Sequence, residues 1–303
     1  MSNAAEGAFG AMRWPAPAKI NRFLHITGRR PDGYHELQTL FQFLDWGDEL
    51  EIALRQDGLI QRSHGDAALA AELAVEEDLS LRAARALQSA TGCHLGADIA
   101  VHKRIPLGAG LGGGSSDAAT VLVALNRLWQ CDLDAGALAA IGLQLGADVP
   151  VFIHGQACWA EGIGERLDPV SPEEQWLLLA LPAATVATAA AYAHPALRRD
   201  CPRVTPEDFA AGRCGNVFEP VARALAPEVD AAMHALTEAA ASEGLPEQRP
   251  QLSGSGGACF LPIPDRATGR RLQARLPTTL RTVLSRAQNR SPLHLACQGA
   301  LGR

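Results

Sequence analysis

The sequence predicts an α+β protein of two domains, and three observations carry that prediction. At roughly 100–200 residues per domain, a chain of 303 residues makes two. Its composition, 47% hydrophobic and 20% charged, excludes a disordered chain and suffices for a large core without metal or disulfide staples. Segments of strand period and of helix period both recur, and each half of the chain contains a glycine-rich loop beside them.

In chain order, residues 16–26 read as a strand. Ala18, Ile20, Arg22, Leu24 and Ile26 share one face and Lys19, Asn21, Phe23 and His25 the other, so Lys19 and Asn21 point the same way. Arg30-Pro31-Asp32-Gly33 has the order of a type I turn, and Tyr34 and His35 follow it. Thr39–Leu44 and Asp48–Leu54 read as two further strands. Leu79, Ala83, Ala86 and Leu87 mark a helix over 78–91, with Gly92 as its stop. Ile99 and Val101 alternate with Asp98 and His102 in a strand ending near Pro106. After the glycine run 107–117, Ala118, Val121, Leu122, Leu125 and Trp129 form one face of a helix, for which Ser115, Ser116 and Asp117 are good N-cap types. A second helix covers about 134–145 and stops at Gly146. Asp148-Val149-Pro150 opens the next segment, in which Val151–Ile153 reads as strand.

The second half has a coarser signal. A strand at Leu177–Leu181, a loop and helix over 186–198, and a helix over 227–243 precede a second glycine loop at Leu252–Gly257. A strand at Cys259–Ile263, a helix over 269–276 and a strand over 279–284 complete it. The domain boundary is weakly marked and falls within 162–172. The uncharged run Trp176–Ala193 contains Pro182 and favours alanine over leucine, too weakly hydrophobic for a membrane span.

A formal charge of −6 argues against a protein whose main task is gripping nucleic acid or an anionic membrane, but allows a local basic pocket. Seven widely spaced cysteines with no CxxC make a zinc site or disulfide framework unexpected and fit a reducing, cytoplasmic compartment. The N-terminus has no basic stretch leading into an apolar one, so no signal peptide is read. Of 27 basic residues only Lys19 and Lys103 are lysine. Where arginine supplies generic positive charge, a retained lysine suggests a need for a compact ammonium.

Five glycines fall between 108 and 114 in the string LGAGLGGGSSD. Without Cβ atoms such a loop can approach a ligand closely, and placed before a helix it aims several amides at an anion. Each charge-assisted hydrogen bond contributes roughly 1.5–3 kcal/mol, so three or four hold a polyphosphate. The loop is not Walker A, because Gly114 rather than Lys follows Gly113. Gly108, Gly110 and Gly113 do satisfy GxGxxG, which leaves an NAD-dependent oxidoreductase open. Asp132 and Asp134 lie at the distance a dinucleotide fold wants for its acidic residue, but between two apparent helices. The protein-kinase partners VAIK, HRD and DFG are absent.

The string from Lys103 to Ser116 resembles the phosphate loop of the galactokinase–homoserine kinase–mevalonate kinase–phosphomevalonate kinase superfamily. Three further stretches, PAKINRFLHITGRRPDGYHEL (17–37), GADVPVFIHGQACWAEGIGE (146–165) and LSGSGGACF (252–260), resemble one family within it. That family's kinases phosphorylate a cytidine diphosphate-linked methylerythritol on the non-mevalonate route to isoprenoids. The resemblance runs from about Pro15 to Phe260.

The resemblance implies a two-domain small-molecule kinase fold. An N-terminal ATP-binding domain (12–165) would contain a left-handed βαβ unit, and a ferredoxin-like C-terminal domain (166–290) would face it, with residues 1–11 disordered. It implies Lys19 and Asp148 as the catalytic pair. In phosphoryl transfer to an alcohol, a carboxylate can take the hydroxyl proton while a neighbouring ammonium favours its ionised form and screens developing charge. Read without it, Asp148 could cap a turn before Pro150 and Lys19 could be a solvated strand lysine. ATP would be held by Lys103, Pro106, Leu107, Gly108, Ala109, Gly110, Leu111, Gly112, Gly113, Gly114, Ser115 and Ser116, with one of the serines either approaching Mg²⁺ or capping the helix. The substrate side would comprise Asn21, Tyr34, His35, Thr188 and Tyr192, with the Ser253–Gly257 loop lining it. Tyr34 and Tyr192 would stack on the cytosine; Tyr192 also reads as a core aromatic. Asn216-Val217-Phe218-Glu219 departs from the Asn-Asp-Leu-Glu associated with relatives. A direct transfer is expected, since no Ser–His or Cys–His nucleophile is apparent. The partners implied are small molecules, with neither nucleic acid nor membrane, for a monomer or weak homodimer. A sister kinase for another alcohol, and a nucleotide sensor without chemistry, are the remaining alternatives.

Overall fold

The computed structural model describes residues 11–63 and 74–299. Residues 1–10, nearly all of the segment expected to be disordered, lie outside the described residues. The chain opens with a long antiparallel hairpin, β1 (Met12–Arg29) and β2 (His35–Arg55). At its tip the Gly33 amide donates to the Arg30 carbonyl at 3.0 Å, the bond expected of the turn. Thr39–Leu44 and Asp48–Leu54 are thus parts of one strand rather than two. β2 is the spine of the molecule. It pairs with β1 throughout, with β5 near its start, with β10 at Phe43 and Leu44, and with β4 over its second half.

β3 (Ile60–Arg62), α1 (Leu79–Thr91) and β4 (Gly96–His102) form a βαβ unit whose two strands pair in parallel. The glycine loop then leads into α2 (Gly113–Leu128), followed by α3 (Ala135–Leu143) and α4 (Val149–His154). The first core lies between β1, β2 and β4 and the helices. Phe43, Leu50 and Ile52 meet Leu87 of α1, Val121, Leu122 and Leu125 of α2, and Phe152 of α4. The strand expected at Val151–Ile153 is therefore helical. Pro150 sits in the first helical turn, where its missing amide costs nothing, and Gly155 closes the helix at φ 67°. An apolar run this short carries no periodicity that separates buried strand from buried helix.

A hairpin, β5 (Cys158–Gly162) and β6 (Arg166–Pro169), leads to β7 (Trp176–Leu181). Then come α5 (Thr188–Ala193), α6 (Pro206–Ala210), α7 (Glu219–Leu225), α8 (Pro227–Ser242), β8 (Gln251–Leu252), β9 (Cys259–Ile263), α9 (Arg266–Arg275) and β10 (Arg281–Gln288). The four strands lie in the order β10-β7-β9-β8, all antiparallel, with α8 between β7 and β8 and α9 between β9 and β10. This is the split βαβ order of a ferredoxin-like sheet. The run Trp176–Ala193 resolves into β7, a loop and α5. Among the described residues no helix is long and apolar enough to cross a membrane.

β7 is buried on both faces, which explains its unbroken leucines. Leu178 and Ala180 pack on Val229, Met233 and Leu236 of α8. Leu177, Leu179 and Leu181 face the other way, onto Ala18 and Ile20 of β1 and Ile105 and Leu111 flanking the glycine loop. The second sheet thus seats one apolar face against the wall from which the phosphate loop projects. The last helix, α10 (Pro292–Gly299), returns to the first half, where Leu293 is fully buried in the first core.

Leu293→Ala should lower stability by about 2–5 kcal/mol in urea denaturation, as for a buried core leucine. A loss below about 0.5 kcal/mol would mark α10 as a surface attachment.

Candidate active site

A cavity of about 920 Å³ opens between the two halves. Its wall brings together the β1 strand, the turn after it, the glycine loop, Asp148 and α5, segments far apart in the chain. Nearly every residue singled out from the sequence lies on this wall: Lys19, Asn21, Tyr34, His35, Lys103, Pro106 through Ser115, Asp148, Thr188 and Tyr192. Ser116 does not. Its side chain points into the protein, fully buried, and its hydroxyl has no hydrogen-bond partner among the described residues.

The glycine loop gains its shape from glycines with positive φ at 108, 110 and 112. Two of them also have no room for a side chain. A Cβ on Gly110 would stand 2.2 Å from the Ser253 carbonyl oxygen, and one on Gly112 would stand 2.9 Å from the Phe152 ring. The second glycine loop is packed backbone to backbone on the first. A Cβ on Gly256 would fall 2.3 Å from the Gly110 nitrogen. The Ala258 amide donates to the Ala109 carbonyl at 2.9 Å and the Ser253 hydroxyl to the Gly110 carbonyl at 3.1 Å. Asn216 fixes the second loop in turn, its amide donating to the carbonyls of Leu252 and Gly254. Only Gly254 and Ser255 of this loop reach the cavity wall.

The expectation that a serine caps α2 is overturned. The helix starts at Gly113, so Ser115, Ser116 and Asp117 lie inside it, and Gly112 at the N-cap makes no side-chain cap. Its first-turn amides therefore have no side-chain acceptor at the cap, and Gly113, Gly114 and Ser115 border the cavity. This is the geometry of an anion site.

Lys19 is 4% exposed and held by three bonds. Its ammonium donates to Asn21 Oδ1 at 2.6 Å and pairs with Asp148 Oδ2 at 3.1 Å, while its main-chain amide donates to the Leu111 carbonyl at 3.0 Å. Asn21 is oriented by donating to Thr39 Oγ1 at 2.9 Å. Asp148 stands at the start of α4 but caps nothing, and its carboxylate remains 34% exposed to the cavity. The turn-capping and solvated-lysine readings of these two residues are both excluded.

Lys103 is clamped by Asp48 Oδ2 at 2.5 Å and Asp117 Oδ2 at 2.7 Å. Asp48 Oδ1 also accepts the amides of Arg104 and Ile105. Burial works against the Lys103 charge, but the Asp117 and Asp48 carboxylates outweigh it and hold its pKa above the ordinary lysine value. Burial in turn pushes the Asp117 carboxyl well up. Lys103 thereby ties the entry of the phosphate loop to the helix after it. Sequence reasoning missed Asp48 and Asp117. The second was taken for a cap, and the first lacked any signal beyond being an acidic residue at a strand expected to start there.

At the other wall Tyr34 is 60% exposed, while His35 and Tyr192 rings lie 5.0 Å apart. Tyr192 also meets the fully buried Phe218 edge-on at 4.9 Å, so the departure at 216–219 places an aromatic behind it. Burial, with the Asp148 charge, pushes the Tyr192 phenol up to about 12. Burial and the charges of Arg199 and Arg29 lower the His35 pKa and favour its neutral form. Arg199, another residue not anticipated, donates to the Tyr192 carbonyl at 2.6 Å. Thr188 Oγ1 lies 3.2 Å from Ser255 Oγ.

The family description GHMP kinases N terminal domain matches residues 78–156. The chain is 48% identical over 286 residues to a 4-diphosphocytidyl-2-C-methyl-D-erythritol kinase of Halorhodospira halophila, covering 93% of this chain and 95% of that protein. It is 50% identical over 281 residues to one of the same name from Xanthomonas axonopodis pv. citri, covering 92% of each. The chain belongs to the 4-diphosphocytidyl-2-C-methyl-D-erythritol kinase family. A crystal structure of 4-(cytidine 5'-diphospho)-2C-methyl-D-erythritol kinase is similar with TM-score 0.76 and 34% identity, over 91% of this chain and 99% of that one. A mevalonate kinase shares the fold alone, at TM-score 0.63 and 14% identity over 92% and 99%.

Family and geometry together dispose of the dinucleotide alternative. Asp134 caps α3 by accepting from the Ala137 amide, and neither it nor Asp132 lies on the cavity wall. β4, which precedes the glycine loop, pairs antiparallel with the central β2, unlike the all-parallel core of a dinucleotide fold.

Gly110→Ala should either cost more than about 2 kcal/mol of stability or raise the KM for nucleotide at least tenfold, because the new methyl and the Ser253 carbonyl cannot both keep their places. Thermal melts and nucleotide titration read the two outcomes.

Proposed function

We propose that this protein transfers the γ-phosphoryl group of ATP to the 2-hydroxyl of 4-(cytidine 5'-diphospho)-2-C-methyl-D-erythritol, giving its 2-phosphate. One observation carries the reading beyond family membership: the Lys19–Asp148 pair sits on the same cavity wall as an uncapped glycine-loop helix start and the His35–Tyr192 aromatic contact.

Main-chain amides from 108 to 115 hold the polyphosphate, and Leu107 and Pro106 offer apolar surface to the rest of the nucleotide. The alcohol is aimed at the γ-phosphorus from the Asp148 side. As the new O–P bond forms, the bond from the γ-phosphorus to the β–γ bridging oxygen breaks to release ADP, and the Asp148 carboxylate accepts the hydroxyl proton. An ammonium has three donors. Asn21 takes one from Lys19 and Asp148 faces the ammonium as an ion pair at 3.1 Å, which leaves a donor for a phosphoryl oxygen. Because Lys19 is buried, that charge acts in a medium where it is felt more strongly than in water. Tyr34, His35 and Tyr192 hold the cytosine, His35 in its neutral form offering one donor and one acceptor.

Magnesium demands hard oxygen ligands and keeps several of its waters. The cavity wall offers the Asp148 carboxylate and the Ser115 hydroxyl near the glycine loop, a sparse set that suits an ion arriving on ATP phosphates. Ser115 would hold it, and its chemistry is charge neutralisation on the β- and γ-phosphates. Ser116, turned inward, is removed from this role.

The aromatic wall disfavours a sister kinase for a small alcohol lacking a base. A coupled ADP-release assay decides, comparing the cytidine substrate with mevalonate and homoserine; turnover of either at a comparable kcat/KM would defeat the assignment. Asp148→Ala should lower kcat by roughly 10²–10⁴ with ATP still bound. Wild-type-like turnover would take Asp148 out of the mechanism. Tyr192→Ala should raise the KM for the cytidine substrate about tenfold or more, as for one lost aromatic–base stack, and leave the KM for ATP within twofold; steady-state kinetics with each substrate varied in turn separates these.

A further inference from the structure

Three charged side chains outside the catalytic pair converge where the turn that carries Tyr34 and His35 meets the β5–β6 connection. Arg30 is the centre. Its main-chain amide donates to the Tyr34 carbonyl at 2.7 Å, closing the turn. Its guanidinium donates from Nε to Glu36 Oε1 at 2.5 Å and reaches Glu165 Oε1 from Nη2 at 3.5 Å. Glu165 in turn accepts the Ile163 amide through Oε2 at 2.6 Å. A Cβ on Gly162, at φ 75°, would lie 2.4 Å from that carboxylate, so the loop is built for Glu165 to fold back over it. Ile163 and Gly164, the residues so held, line the same cavity as Tyr34 and His35. A Cβ on Gly164 would lie 4.0 Å from the Ala147 carbonyl oxygen, next to Asp148.

We propose that Arg30, with Glu36 and Glu165, is a positioning residue that fixes the distance between the base-holding turn and the loop beside Asp148. Arg30 touches no substrate. It acts through Tyr34 and His35 on one side and Ile163 and Gly164 on the other. The requirement is physical: an alcohol in line with a phosphorus needs its remote end anchored at a set distance, and a rigid fork keeps that distance where a flexible single bond does not. The three side chains keep 24–32% of their surface exposed, so solvent screens the pairs and their effect is geometric rather than a large gain in stability. A lysine in place of Arg30 has donors enough for both carboxylates but no planar fork, so it could meet them without fixing their separation.

This inference rests on the assignment of Tyr34 and His35 to the base. The test is steady-state kinetics of Arg30→Ala, Arg30→Lys, Glu165→Gln and the Arg30→Ala/Glu165→Gln pair on the full chain, varying each substrate separately. Arg30→Ala should raise the KM for the cytidine substrate about tenfold while the KM for ATP stays within twofold. Arg30→Lys should fall between it and wild type. The double variant should be no worse than Arg30→Ala, because both single changes break one linkage. The unchanged ATP KM doubles as the check that the variants fold. An equal rise in both KM values, or additive effects in the double variant, would reduce Arg30 to a general structural role and overturn the proposal. If wild type fails to phosphorylate the cytidine substrate at all, the functional assignment falls and the clamp with it. If wild type turns it over and Arg30→Ala leaves its KM unchanged, the clamp alone falls.

Discussion

The cleft depends on one contact in which neither partner has a side chain. Gly110 and Gly256 let two loops, about 145 residues apart in the chain, lie main chain on main chain, with Ser253 and Ala258 supplying the hydrogen bonds across them. Any Cβ there would drive the loops apart. Because the first loop lines the cavity and the second belongs to the ferredoxin-like sheet, the same contact ties the cavity wall to that sheet. The apolar seam behind it, where Leu177, Leu179 and Leu181 cover Ile20, Ile105 and Leu111, supplies the non-directional burial that holds the contact closed.

The two lysines of the chain sit at two different electrostatic problems within this frame. Lys19 shares one carboxylate with the cavity: Asp148 is a third exposed, so its free oxygen stays available to a proton. Lys103 faces two carboxylates that are nearly or wholly buried, and there the charges are spent on structure. Breaking such a buried set leaves an unpaired charge costing several kcal/mol, whereas the exposed edge of the Lys19 pair can exchange partners without that penalty. The arginine bias of the chain makes both lysines visible, but only the surroundings distinguish the ammonium beside the cavity from the one clamped between two buried carboxylates.

Much of this site was legible in the residues. Strand alternation put Lys19 and Asn21 on one face, and they do bond to each other. The glycine run before a helical pattern pointed to an anion cradle, and its start is left uncapped. What failed to show follows from context that no local pattern contains. Ser115, Ser116 and Asp117 look like caps because their side chains commonly serve as such, yet α2 begins at Gly113 and turns Ser116 and Asp117 inward. Val151–Ile153 carries no period that separates a buried strand from one buried helical turn. α6, α7 and α8 each begin at or beside a proline, at 206, 220 and 227; only the last of the three helices was expected, and the proline start signal went unread in all of them. The clamp on Lys103 joins residues 48, 103 and 117, a contact that only the folded sheet creates.

Phe218 shows how a departure in sequence can be neutral to chemistry yet informative about recognition. It stands where relatives were expected to carry leucine, and it is fully buried with its edge toward Tyr192. Edge-to-face contact adds about 0.5–1.5 kcal/mol beyond the area it buries, and it restrains a ring whose other neighbour, His35, lies 5.0 Å away. Arg199 pins the main chain of the same residue. A ring restrained in this way loses little rotamer entropy when a ligand arrives. The cavity wall therefore divides its rigidity unevenly: Tyr192 is packed against Phe218 and its main chain is pinned by Arg199, while Tyr34, at the tip of the hairpin, is 60% exposed.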